Sequence, residues 1–323
     1  MSATTRIRPL AQLAGHFEKL RPWLLLILIV VVLLAFAIVQ PRVISGANLR
    51  NIAVQGSYLA IFALAQCLVI LTRGFDLSLG FTVSLVSVLS AMAMVATGSA
   101  LVGIFAGLGV GLVVGGVNGL LIGGIGLNPL ITTLGMANIA MALASTVSGG
   151  FPVAGLPDGF TGTFAQGTLL WIPAQIWIAG VVFASVWALL RATRLGRSLY
   201  IIGANPRAAV AAGINTFGGL LAAYAISSLI TATGALLLTA RTGSGEPNLG
   251  GNLTLEAIAA AVVGGARLSG GHGGVSSALL GALFVTVLSN GMNLVQLDGY
   301  IQQMCLGAII IASLILGRDT QRG

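Results

Sequence analysis

The sequence predicts an all-α integral membrane protein with about ten transmembrane helices. Three observations carry this. Of the 323 residues, 57% are hydrophobic and 7% are charged, against roughly 25% charged in soluble domains. Apolar runs of about 20 residues, enough to cross roughly 30 Å of hydrocarbon, recur along the whole chain. The 46 glycines suit the close backbone contacts of membrane helices better than a water-soluble core.

The first run, 23–40, follows Arg6, Arg8, Lys19 and Arg21 and ends in Gln40-Pro41-Arg42. It lacks a small-x-small cleavage site and reads as a retained helix. Nine more runs follow near 52–72, 77–97, 101–124, 129–149, 170–190, 215–240, 254–266, 274–296 and 299–317. The eighth is short and carries Glu256 near its start. Together, 23–317 form one transmembrane domain between an N-terminal segment, 1–22, and a tail, 318–323.

The formal charge is +8, but the cations sit at the ends of apolar runs and not on one basic face. That is the positive-inside pattern of a membrane protein and argues against nucleic acid as a partner. With the N-terminus in the cytoplasm, twelve Lys and Arg fall on the cytoplasmic side. Only Arg42, Arg50 and Arg241 fall outside, which places both termini in the cytoplasm. Cys67 and Cys305 each lie inside an apolar run and read as small buried thiols.

On the fourth run Gly103, Gly107, Gly111, Gly115, Gly119 and Gly123 recur every four residues. Such a stripe bares one helix face to a neighbouring backbone, and the packing role is read chiefly on Gly107, Gly111, Gly115 and Gly119. A smooth wall of a solute path is the other reading.

An internal repeat is also legible. Asn118-Gly119, fourteen residues, then Leu134-Gly135 recurs as Asn290-Gly291, fourteen residues, then Leu306-Gly307. Asp76-x-x-Leu79-Gly80 matches Glu246-x-x-Leu249-Gly250 at nearly the same offset. One loop faces in and the other out, so the halves are expected to be inverted repeats.

Enzyme chemistry has little to work with. There are seven acids and two histidines, His16 and His272, far apart, and no metal-ligand spacing. The only lysine is Lys19, so the chain holds no Walker A loop and any ATP hydrolysis belongs to another subunit. No catalytic residue, cofactor or metal is expected.

Three polar segments remain. Arg73-Gly74-Phe75-Asp76-Leu77-Ser78-Leu79-Gly80 is either a charged turn at the membrane surface or a helix break lining a polar path. Gly243–Glu256, with Glu246 and Asn248, interrupts the second half at the matching place. Glu256 itself lies either in that path or at the surface, near the positive end of its helix. Asn128, Asp76, Ser78, Asn248, Glu246 and Glu256 are the expected path residues, gathered near the outer or central part of a cavity. The third segment, Arg191–Asn215, holds Asn205 as a helix cap, Pro206 at the first turn and Gly213 as the stop. Between them Ala208, Ala209, Ala211 and Ala212 make a thin rod with a bare alanine face, able to slot into a groove on a partner.

At these segments the chain resembles the permease subunit of bacterial ATP-binding-cassette importers for monosaccharides, the ribose/xylose/galactose type. The pattern G-[I/F]-D-L-S-x-G stands as Gly74–Gly80. T-R-x-G-R-x-x-Y-x-I-G-x-N-x-x-A-A-x-x-x-G-I-N stands as Thr193–Asn215, and A-I-A-A-x-V-x-G-G-x-x-L-x-G-G-x-G as Ala257–Gly273. Asn128–Gly135 is similar to N-x-F-[I/V]-x-T-L-G. Where the family often shows E-L-D, this chain has Thr254-Leu255-Glu256.

The resemblance implies a multi-pass inner-membrane protein of the type II importer kind that works as a pair of permeases. Its implied partners are a cytoplasmic ABC ATPase subunit and a periplasmic sugar-binding protein. The implied ATPase-coupling loop is 191–214, with Gly203, Asn205, Pro206, Ala208, Ala209, Ala212 and Gly213. A branched-chain amino-acid permease shares L-S-x-G, and an ion-coupled transporter would use Asp76 and Glu256; Gly203-Ala204-Asn205 favours the sugar branch.

Overall fold

The computed structural model describes the backbone of residues 7–318 and the side chains of 23–312. In chain order the elements are α1 (Ile7–Val39), α2 (Gly46–Leu71), α3 (Leu79–Thr97), α4 (Ala100–Gly123), α5 (Pro129–Ser148) and the single turn α6 (Asp158–Thr161). A two-stranded hairpin follows, β1 (Thr168–Leu169) and β2 (Ile172–Pro173), then α7 (Ala174–Ala192), α8 (Arg194–Ala204) and α9 (Pro206–Ala211). The last four are α10 (Thr216–Thr242), α11 (Leu253–Val263), α12 (Val275–Leu294) and α13 (Gly299–Arg318). All ten expected runs are helices. Among the described residues, seven are long and apolar enough to cross a membrane, and Trp23–Val39, Leu253–Val263 and Gly299–Ala312 are shorter apolar stretches.

Three boundaries differ from expectation. α1 begins at Ile7 and not near 23, because 7–22 is rich in helix formers such as Leu10, Ala11, Leu13 and Ala14. The sixth run begins four residues late, since Thr168–Pro173 turns back as the hairpin. The polar loop after α7 contains a full helix, α8, where only a short alanine helix was expected. Residues 1–6 and 319–323, the ends of the expected N-terminal segment and tail, lie outside the described residues.

Burial sorts the helices into a centre and a periphery. From Tyr58 to Leu71, Gln66 apart, α2 is apolar on every face and is buried almost throughout, as such a helix must be. α3, α10, α11 and α12 pack on or around it, whereas α4, α5 and α7 show most of their surface outward. Exposed Leu, Val and Ile on those outer helices are what a lipid-facing rim requires.

The glycine stripe on α4 is a packing face. A Cβ at Gly107, Gly111, Gly115 or Gly119 would come within 2.5–3.0 Å of Leu236, Ala232, the Tyr224 carbonyl or Leu221, all on α10. α4 and α10 thus approach backbone to backbone, as small residues permit in lipid.

The packing maps onto itself when α2, α3, α4 and α5 are exchanged for α10, α11, α12 and α13. α4 lies on α10 as α12 lies on α2. α3 touches α10, α4 and α5 as α11 touches α2, α12 and α13. The hydrogen bonds are reciprocal as well. The Gly80 N–H donates to Thr254 Oγ1 at 2.9 Å, and the Gly250 N–H donates to Ser84 Oγ at 3.1 Å. Each hydroxyl stands four residues beyond its own glycine. A Cβ on either glycine would strike the other's carbonyl oxygen, so only glycine fits at this crossing. Residue i meeting j while j meets i is the mark of a local two-fold. Four expected spans (α3, α4, α5 and α7) separate α2 from α10, so the two halves cross the membrane in opposite senses.

Candidate functional site

Two chain breaks, 72–78 and 243–252, enter the bundle from opposite ends and meet at Gly80 and Gly250. The second break runs antiparallel to α3. The Glu246 N–H donates to Ser87 Oγ at 3.0 Å, and Thr239 Oγ1 bonds the same hydroxyl at 2.7 Å. Ser87 stands ten residues before Thr97, the far end of α3, so Glu246 lies about 15 Å of helix rise inside that end. Non-helical backbone at such depth is tolerated where protein or a polar cavity satisfies it.

The first break is closed with polar groups. Asp76 and Ser78 are buried. Asp76 Oδ1 accepts from the Ser78 N–H at 2.9 Å and from Ser78 Oγ, which in turn accepts from Asn118 Nδ2 at 3.1 Å. The Leu77 N–H donates to Thr133 Oγ1 at 3.0 Å, and Tyr224 Oη donates to the Phe75 carbonyl at 3.2 Å. α4, α5 and α10 therefore each send one polar side chain to hold the break.

At the other break the structure forms a polar vestibule. Arg241 lines three cavities of about 300, 250 and 520 Å³, and Tyr58 lines the first two. The Arg241 guanidinium lies 5.4 Å from the centre of the Tyr58 ring. Tyr58 stands twelve residues after Gly46, about 18 Å of helix rise inside the end of α2. Glu256 lines the first cavity with Gln55, Thr286 and Ser289.

The expected path residues do not gather at one place. Asp76 and Ser78 are sealed beneath Asn118. Asn128 is exposed and caps α5 by accepting from the Leu130 N–H at 2.9 Å. Glu246 accepts from Ser244 Oγ at 2.6 Å, Asn248 is exposed, and Glu256 faces a cavity. The reason is topological. Asn128 follows α4 and belongs to the end where Asp76 enters, whereas Glu246 and Asn248 enter from the opposite end.

The arginine-rich end is tied into a platform. The Arg73 guanidinium donates from Nε to the Gly203 carbonyl and from Nη2 to the Ala204 carbonyl at 2.6 Å. The Gly271 N–H donates to the Leu71 carbonyl at 2.9 Å, and Tyr200 Oη to the Gly273 carbonyl at 3.0 Å. A Cβ at Gly203 would strike the Leu71 carbonyl, so Gly203 is where α8 seats on the end of α2 and is not partner-facing. Asn205 caps α9 by accepting from the Ala208 N–H at 3.1 Å, Pro206 opens the helix, and Gly213 takes φ +72. Ala209, expected on a bare outer face, is 0% exposed, while Val210 is 63% exposed. α9 packs on α8 and α10, which turns Ala209 inward and leaves Ala208, Val210 and Ala212 outside.

Sequence reasoning missed Tyr58, Gln55, Arg241, Thr286 and Ser289, because each sits singly inside or at the end of an apolar helix. One legible signal was available: Gly80-x-x-x-Ser84 and Gly250-x-x-x-Thr254 place a hydroxyl one turn beyond each repeat glycine.

A family model described as "Branched-chain amino acid transport system / permease component" matches residues 48–314. The ribose import permease protein RbsC of Escherichia coli (strain K12) is 33% identical over 318 residues, 95% of this chain and 98% of the relative. The galactose/methyl galactoside import permease protein MglC of the same strain is 36% identical over 308 residues, 89% and 91% of the two chains. The D-allose transport system permease protein AlsC is 30% identical over 326 residues, 98% and 99%. No solved structure matches the chain. The matched region takes in both breaks, the platform and every helix from α2 to α12, so the chain belongs to this family of transport-system permease components.

Proposed function

We propose that this chain is the membrane-spanning subunit of an ATP-binding-cassette importer and carries a monosaccharide across the inner membrane by alternating access. The observation that carries the reading is the full-length similarity to permeases named for ribose, galactose and allose. The geometry adds a mechanism. Two breaks from opposite ends meet at one two-fold crossing, so the halves can rock about Gly80 and Gly250 while the path opens to one side and then the other.

The termini and the platform of α8, α9 and 264–274 face the cytoplasm, where the arginines lie. There α9 presents Ala208, Val210 and Ala212 to a separate ATPase. The vestibule at Arg241 faces the periplasm and receives sugar from a binding protein. Two copies of the permease, or this one and a paralogue, form the working pair. Of the path residues expected from sequence, Glu256 is retained as facing the solute, and Asp76 and Ser78 become the lock beneath it.

The test is uptake by the reconstituted permease, ATPase and binding protein, with labelled D-ribose, D-galactose, D-allose and L-leucine. ATP-dependent uptake of one sugar is expected, and no ATP hydrolysis by the permease alone. The family description names branched-chain amino acids; uptake of leucine and of no sugar would overturn the sugar reading.

A further inference from the structure

The hairpin ahead of α7 makes a turn that its residues do not favour. Thr168 pairs with Pro173 and Leu169 with Ile172, which leaves Leu170 and Trp171 as the two central residues. Both are left-handed, at φ 52 and φ 65. Two-residue turns of this kind normally hold Asn-Gly or Asp-Gly, because bulky residues are strained at positive φ. Here the strained positions carry two large apolar side chains. Leu170 is 74% and Trp171 95% exposed, and Leu169 beside them is exposed as well. Strain kept at residues this exposed serves no packing within the chain and marks a function.

The hairpin does not stand clear of the membrane. Trp171 comes three residues before Ala174, so it lies within about 11 Å of the start of α7. α7 rises about 28 Å over its 19 residues, close to the roughly 30 Å thickness of hydrocarbon. The strands also lean back along that helix. The Ala174 N–H donates to the Gly167 carbonyl at 2.9 Å, and Trp177 Nε1, one turn into α7, donates to the Leu169 carbonyl at 3.0 Å. No Asp, Glu, Lys, Arg or His occurs between Asp158 and Arg191, so no charge in this stretch resists lipid.

A second protein fits the tip less well than lipid does. A two-residue turn offers far less than the roughly 1,200 Å² at which specific interfaces begin. A soluble partner would also leave Trp171 bare to water each time it departed. Tryptophan, an apolar ring with one N–H, suits the boundary between hydrocarbon and headgroups.

We propose that the tip Leu169–Ile172 is an interfacial anchor, inserted at the headgroup boundary of the leaflet on the vestibule side. Its effect is to fix a height. Gln175 Nε2, in the first turn of α7, donates to the Phe164 and Ala165 carbonyls at 2.8 and 2.7 Å. Ala165 and Gln166 in turn line the cavity of about 520 Å³ at Arg241. The anchored hairpin and the vestibule rim are thus one unit, and the bilayer sets the level of both. The inference goes beyond the transport reading and holds whichever solute is carried.

The experiment uses the permease with its ATPase in lipid nanodiscs, with Cys67 and Cys305 replaced by alanine. A nitroxide is attached at Leu170→Cys or Leu169→Cys in the hairpin, and at Asp158→Cys as a charged, exposed reference on the rim. Its collisions with oxygen, which concentrates in lipid, are compared with those of a neutral nickel chelate, which concentrates in water. Both hairpin labels should favour oxygen and lie about 5–10 Å inside the headgroup boundary, whereas the Asp158→Cys label should favour nickel. Replacing the tip by Leu170→Asn with Trp171→Gly suits the left-handed turn and removes the apolar groups. It should move the Leu169→Cys label from oxygen to nickel.

A Leu170→Cys label that favours nickel would place the tip in water and overturn the anchor. Shielding from both reagents would mean that protein covers the tip, which overturns it as well. A Leu169→Cys label that stays in lipid beside the Asn-Gly turn would show that the scaffold, and not the tip, holds the hairpin there. If Leu170→Cys does not assemble, Trp171→Cys is read by the same criteria.

Discussion

Arg73 joins the first helix break to the arginine-rich platform, and replacing it by alanine and by glycine separates two roles. The residue sits at φ 66, a left-handed conformation that costs a non-glycine residue about 1–2 kcal/mol. Its guanidinium donates to the carbonyls of Gly203 and Ala204 at the C-terminal end of α8, where the helix dipole also favours a cation. A hydrogen bond to a charged group contributes roughly 1.5–3 kcal/mol. Arg73 is exposed, so the low end applies, about 3 kcal/mol for the two bonds together.

Arg73→Ala loses both bonds and keeps the backbone strain. Arg73→Gly loses the same bonds but relieves the strain, offset in part by glycine's greater freedom when unfolded, about 0.5–1 kcal/mol. Glycine should therefore be more stable than alanine by about 0.5–1 kcal/mol. Thermal unfolding of the purified variants in detergent should rank wild type first, then glycine, then alanine. Sugar uptake per ATP hydrolysed should fall equally in both, because both free α8 from the break. Equal unfolding temperatures for the two variants would refute the backbone argument, and wild-type coupling in both would refute the link.

At the two-fold crossing, Gly250→Ala should destabilise by roughly 1–3 kcal/mol as an overpacked site does, read by thermal unfolding; Gly46→Ala, with open space around its Cβ, should not. On α4, Gly115→Leu should prevent stable assembly because its Cβ meets the Tyr224 carbonyl at 2.5 Å, while Gly109→Leu, with nothing within 4 Å, should assemble normally in size-exclusion chromatography. On α9, Ala209→Trp should lower the amount of folded protein, since the site is fully buried. Val210→Asp should leave folding intact and uncouple ATP hydrolysis from uptake, measured on the same reconstituted preparation.

The ten helices were legible because each is a long apolar run, and the ends of α9 because cap and stop are chemical: Asn205 accepts from the Ala208 N–H and Gly213 takes a left-handed turn. The role of the Gly107–Gly119 stripe followed from its period. What did not follow was which face an alanine presents. Ala208, Ala209 and Ala212 have the same side chain, and only the seat of α9 on α8 and α10 decides that Ala209 is inside. Nor was α8 legible as a helix: Arg194, Arg197, Gly196 and Gly203 read as a connector until Leu199 and Ile202 are seen buried on one face.

Depth was the other hidden quantity, and it decides where Asp76, Glu246 and Glu256 lie relative to one another. Hydropathy averaged over a window reports 243–252 as a surface loop, because Gly, Ser, Glu, Pro and Asn dominate it. The segment nevertheless descends along α3, since its backbone donors find Ser87 and Ser84 inside the bundle. Those serines look like ordinary small residues of an apolar helix, and their function appears only when the second break is laid against them. The same holds in reverse for Thr254, whose hydroxyl receives Gly80. Each half of the repeat thus carries the hydrogen-bond acceptor for the other half's break. Each break also bonds within its own half, as Ser78 does with Asp76, but the Gly80 and Gly250 N–H groups find their acceptors across the repeat, so the depth at which the two cross could not be read from either stretch alone.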